Sequence, residues 1–89
     1  MKIRRHCIVH GRVQGVFFRD SAQRKAYETG VSGWVKNLPD GSVEVMVSGD
    51  SGKVDLFCHW LGEGPKMAIV KDVKLENLEY ENISGFVVK

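Results

Sequence analysis

"HGRVQGVFFRD", residues 10–20, joins two stretches of different periodicity, and the fold turns on how it is read. Before it, "KIRRHCIVH" (2–10) alternates. Ile3, Arg5, Cys7 and Val9 fall on one side and Arg4, His6, Ile8 and His10 on the other, a strand with Cys7 and Val9 toward a core. After it, "RDSAQRKAYET" (19–29) contains neither Gly nor Pro. Phe18, Ala22 and Ala26 recur at i, i+4 and i+8, which is one helical face. Asp20 and Ser21 suit the first turn of that helix and Gly30 its stop. The stretch is therefore a strand-to-helix junction holding two glycines, Gly11 and Gly15, and ending on a cation, Arg19.

Working outward, "VSGWVKN" (31–37) and "SVEVMVSG" (42–49) read as two strands joined by "LPDG", whose Pro and Asp-Gly are turn residues. A second helix is predicted from about Asp50 to Gly62, with Val54, Phe57, Cys58 and Leu61 as its apolar stripe. "GEGP" (62–65) interrupts the chain, "AIVKDVKLENLEY" (68–80) reads as a fourth strand and "GFVVK" (85–89) as a short final one. The order is βαββαβ with an added C-terminal strand. It matches the α+β, ferredoxin-like plan, two helices on one face of a mostly antiparallel sheet. Fold alone does not fix chemistry, because this plan hosts many functions.

With 89 residues and no linker, repeat or low-complexity tract, a single domain over 1–89 is expected. The net charge of +2 falls short of the basic stripe of a nucleic-acid binder. No run of apolar residues is long enough for a membrane span, and "MKIRRHC" lacks the apolar core of a signal peptide, so a cytoplasmic protein is expected. Cys7 and Cys58 lie in no CxxC or Cys/His cluster, so no metal site is expected. They read as two reduced, half-buried thiols or, more sharply, as a disulfide pinning the first strand to the second helix. Lys2, Arg4 and Arg5 form a basic run of the kind that is usually solvated. His6 and His10 are expected on the outer sheet face and His59 on the polar side of the second helix. Trp34 and Trp60 read as packing or surface aromatics.

A glycine-containing strand-to-helix junction can turn successive backbone N–H groups inward as a nest for an anion, beside a helix N-terminus that favours negative charge. From Gly11 to Phe17 there is no proline, so every position can donate. Arg19, with its planar fork, would then face the anion from the helix start. The plain alternative is a glycine-kinked strand followed by a surface arginine. Neither a Walker A loop nor the dinucleotide fingerprint is present.

"GRVQGVFFR" (11–19) followed by "GWVKNLPDGSVEV" (33–45) closely resembles the acylphosphatase family, and the similarity continues through "GD" (49–50), "GP" (64–65) and "GFVVK". The resemblance implies a metal-independent, cofactor-free acylphosphatase, a hydrolase that splits the carboxyl–phosphate bond of acyl phosphates. It implies phosphate binding by the backbone of Gly11, Arg12, Val13, Gln14, Gly15, Val16 and Phe17 together with Arg19. It also implies that Asn37 positions the attacking water. "YETG" departs from a leucine that often precedes that glycine, away from both side chains.

The chemistry suits these residues. The leaving carboxylate has a pKa of roughly 4 and departs without a general acid. Charge spreading over three phosphoryl oxygens can be met by backbone donors and one arginine. Phe17 and Phe18 are candidates for shaping an acyl pocket, although Phe18 equally fits the core stripe. The expected partners are a small acyl phosphate and inorganic phosphate as product and inhibitor, with no nucleic acid or membrane, in a monomer. Two rival readings stand beside this one. An RNA-recognition module would need aromatics on the third strand, which "SVEVMVSG" lacks. A non-catalytic anion-binding domain would bind phosphate without turnover.

Overall fold

The computed structural model describes all 89 residues. The elements are β1 (Lys2–Arg12), α1 (Phe18–Thr29), β2 (Ser32–Asn37), β3 (Val43–Asp50), α2 (Ser51–Leu61), β4 (Ile69–Leu78) and β5 (Phe86–Val88). They form one sheet in the order β4-β1-β3-β2-β5. All pairs are antiparallel except β2–β5. This is the α+β, ferredoxin-like arrangement predicted from the periodicities, with the extra strand added at the β2 edge.

The helices and the inner sheet face close on a continuous apolar core. β1 contributes Cys7 and Val9, β2 Val35, and β3 Val43, Val45 and Val47, at the period of two that a half-buried strand requires. α1 contributes Phe18, Ala22 and Ala26, and α2 contributes Val54, Phe57 and Leu61, at helical spacing. The two alanines on α1 let its backbone sit close to the sheet, while Phe57 stacks between Phe86 of β5 and Trp60. Truncating a fully buried ring such as Phe57 to alanine costs about 3–5 kcal/mol.

β5 reaches the β2 edge because residues 79–85 run from the opposite edge of the sheet. Arg4 Nε donates to the Glu79 carbonyl at 2.8 Å, Ser48 Oγ to the Glu81 carbonyl at 2.7 Å, and the Gly33 amide to the Gly85 carbonyl at 2.9 Å. Arg4 and Arg5 of the basic run are accordingly not free in solvent, whereas Lys2 is exposed. Arg5 is held by Asp55 at 3.0 Å and by Asn77 at 2.8 Å. Acceptors from α2, from β4 and from the segment after it claim these two cations, which a reading of local sequence does not see.

Both cysteines are buried rather than half-buried. They are free thiols whose Sγ atoms lie 3.9 Å apart across the β1–α2 contact. The contact with Cys7, together with Arg5, holds the Cys58 thiol below its ordinary value. The same contact, then burial, pushes Cys7 above its own.

Candidate active site

β1 runs two residues further than its alternation suggests. A bulge between His10 and Gly11 shifts its register, after which Gly11 pairs with Val70 and Arg12 with Ile69. Gly11 is required there by close approach, since a Cβ on it would sit 2.1 Å from the Ile69 carbonyl oxygen. The loop proper is therefore Val13 to Phe17, shorter than the Gly11–Phe17 expected.

Two side chains anchor this loop. Val13 and Val16 are buried in the core. Between and after them the chain turns left-handed, at Gly15 (φ 74°) and at Phe17 (φ 63°). Phe17 is the only non-glycine residue with positive φ, and it occupies the N-cap position of α1 without supplying a side-chain cap. None of the backbone N–H groups from Val13 to Phe17 donates to a protein acceptor. Successive free donors next to a helix N-terminus form an anion nest.

Arg19 follows in the first turn of α1. Its Nη1 donates to the Lys89 carbonyl at 2.6 Å, so the segment following β5 fixes the guanidinium. No aspartate or glutamate pairs with it, and the rest of its fork is available to an anion.

Asn37 ends β2. Its Oδ1 is buried and receives no hydrogen bond. An acceptor left so costs about 1–3 kcal/mol, which a side chain at a turn has every opportunity to avoid. Val13, Gly15, Phe17, Arg19 and Asn37 border one cleft of about 290 Å³, completed by Phe18, Asp20 and Val88. Asp20 is paired with Arg24 at 3.4 Å, which leaves Arg19 as the cation facing the cleft.

Not every predicted site residue borders that cleft. Gly11 and Arg12 belong to β1, Val16 to the core, and Gln14 turns its side chain to the β2–β3 hairpin. Gln14 Nε2 donates to the carbonyls of Leu38 at 2.8 Å and Ser42 at 2.9 Å, tying the loop to the turn that follows Asn37. That turn is internally complete. Leu38 N–H meets the Ser42 carbonyl, and Asp40 accepts from both the amide and the hydroxyl of Ser42. The Ser42 hydroxyl and amide hold the Asp40 carboxyl below its usual range. The histidines lie elsewhere, His6 against Glu44 on the outer face and His59 against Glu63.

Sequence reasoning missed the Gln14 tie and the Lys89 carbonyl, since both depend on tertiary placement. The exposure of Phe17 did carry a signal. Of two adjacent phenylalanines only Phe18 falls on the Ala22–Ala26 stripe, and the structure leaves Phe18 2% and Phe17 75% exposed.

The arrangement defines a small α+β protein in which unpaired backbone amides, one guanidinium and a buried polar acceptor surround a single cleft. The acylphosphatase family matches residues 5–88, and the chain belongs to that family. It is 48% identical over 83 residues to the acylphosphatase of Nitrosococcus oceani, covering 93% of each chain. The solved acylphosphatase of Coxiella burnetii superposes with a TM-score of 0.94 at 42% identity, over 99% of this chain and 93% of that one. That of Bacillus subtilis gives 0.94 at 32% identity, over 98% of both.

Proposed function

We propose that this chain, acting as one domain over residues 1–89, hydrolyses acyl phosphates to a carboxylate and inorganic phosphate. The phosphoryl group sits in the cleft on the free N–H groups of Val13 to Phe17 and on the fork of Arg19. Gly11 and Arg12 hold the base of the loop against β4, and Gln14 fixes its side. The attacking water donates a hydrogen bond to Asn37 Oδ1, which orients its lone pair toward phosphorus. The amide oxygen takes no proton, and the water's protons leave with the phosphate. With a leaving-group pKa of roughly 4, the carboxylate needs no acid. A loose transition state asks for positioning and charge stabilisation more than for a strong nucleophile.

The observation that carries this reading is the unpartnered, buried Oδ1 of Asn37 on the same cleft as the free amides and Arg19. A turn-forming asparagine would spend that oxygen on its own backbone. The reading takes the protein as a cytoplasmic, cofactor-free monomer with inorganic phosphate as product and inhibitor, and with neither nucleic acid nor membrane as partner. No helix is long and apolar enough to cross a membrane. Incubation with benzoyl phosphate, with and without chelator, tests it. Turnover that phosphate inhibits and chelator leaves untouched is expected. A folded sample that binds phosphate without turnover would make the chain an anion-binding module instead.

A further inference from the structure

Phe17 is placed at a cost and returns nothing to the fold. Its left-handed φ of 63° disfavours any residue with a Cβ, and here the residue is aromatic. The residue is 75% exposed and its ring stacks on no other aromatic, whereas Phe18 packs on Trp60, Trp60 on Phe57 and Phe57 on Phe86. Every other left-handed position in the chain is a glycine, so the backbone conformation does not call for this side chain. What the ring does border is the cleft, together with Val13 and Val88.

Arg19, Asn37 and the loop amides are taken by the phosphoryl group and its water, and Asp20 by its pairing with Arg24. In an in-line displacement the acyl oxygen leaves on the side of phosphorus opposite the water. The acyl substituent is then directed away from Asn37, and the remaining lining is apolar. We infer that the exposed ring of Phe17 is the acyl-side wall of the site and selects acyl phosphates with an apolar, aromatic acyl group over short aliphatic ones. This rests on the hydrolase reading above and names its substrate class.

The test compares kcat/KM for benzoyl phosphate and acetyl phosphate in the wild type, Phe17→Tyr and Phe17→Asn. Asparagine tolerates the left-handed backbone and keeps the amide while removing the ring. The ratio of the two values cancels any general loss of activity. Phe17→Tyr is expected to keep the wild-type ratio. Phe17→Asn is expected to lower it about fivefold, the worth of one contact between aromatic rings, through KM for benzoyl phosphate. A ratio unmoved in Phe17→Asn, with both substrates turned over, overturns the inference and leaves the hydrolase reading standing. A folded wild type that turns over neither substrate overturns both. Should Phe17→Asn not fold, the wild type gives the answer with non-hydrolysable phosphonates. Saturating benzoylphosphonate is expected to shift the Phe17 ring resonances in NMR spectra where acetylphosphonate does not, and equal spectra would overturn the assignment.

Discussion

The loop Val13–Phe17 and the hairpin turn Leu38–Ser42 border the same end of the sheet and treat their backbones in opposite ways. In the hairpin, amides meet carbonyls within the turn, and Asp40 closes on Ser42 twice. In the loop, the amides are left open and one residue is strained. The hairpin is a finished piece of structure that presents one idle atom, Asn37 Oδ1. The loop is unfinished along its whole length. Gln14 joins the two, so the rigid piece sets the position of the open one. A site that grips and a site that aims can therefore be built from neighbouring turns, provided only one of them satisfies itself.

The contrast can be broken from either side. The largest effect is expected at Arg19. Arg19→Ala should lose about 10³-fold in kcat/KM for benzoyl phosphate. Arg19→Lys should restore little, because a point charge does not reproduce the fork, and near-normal turnover by the lysine variant would refute the role. Asn37→Ala should lower kcat about 100-fold, the scale of a misplaced nucleophile. Its phosphate inhibition constant should stay at the wild-type value, and a parallel loss of phosphate affinity would remove the water-positioning role.

Gln14→Leu cuts the tie. Two carbonyls lose one donor each and keep a backbone one, and the two lost bonds should cost about 2 kcal/mol in chemical denaturation, with kcat falling as loop and hairpin drift apart. Unchanged stability would mean that the two turns hold their places independently. A smaller change is expected from Asp40→Ala, and it depends on pH. The folded-state carboxyl is held low by Ser42, so its contribution is complete above the unfolded pKa of about 4 and disappears as the pH falls through the folded value. The gap in melting temperature between variant and wild type should be open at neutral pH and close in acid. Last, Phe17→Gly should raise stability by about 0.5–1 kcal/mol by releasing the left-handed backbone, and a measured loss would show that the ring packs on the fold.

Much of this was legible before any coordinates. Periods of two and 3.6 placed β1, β2, β3 and both helices, because each presents one apolar face to one core, whereas β4 buries no residue fully. What stayed hidden were facts that two distant segments decide jointly. Gly11 reads as a nest residue from its neighbours, yet its glycine answers to the Ile69 carbonyl of β4. Arg4 and Arg5 read as solvated, yet Glu79, Asn77 and Asp55 claim them. Asn37 stands out only through a family resemblance, since nothing in "VKNLPDG" says that its oxygen is buried and unanswered.

The empty N-cap of α1 sets a conflict of interest at position 17. A serine or aspartate there, with the residue returned from its left-handed to the extended conformation that a side-chain cap requires, would stabilise the helix by roughly 1 kcal/mol by accepting from its first amides. The same oxygen would stand where a bound phosphoryl oxygen belongs and compete with it at every encounter. Selection for a sturdier chain and selection for a tighter grip on phosphate thus pull this residue in opposite directions.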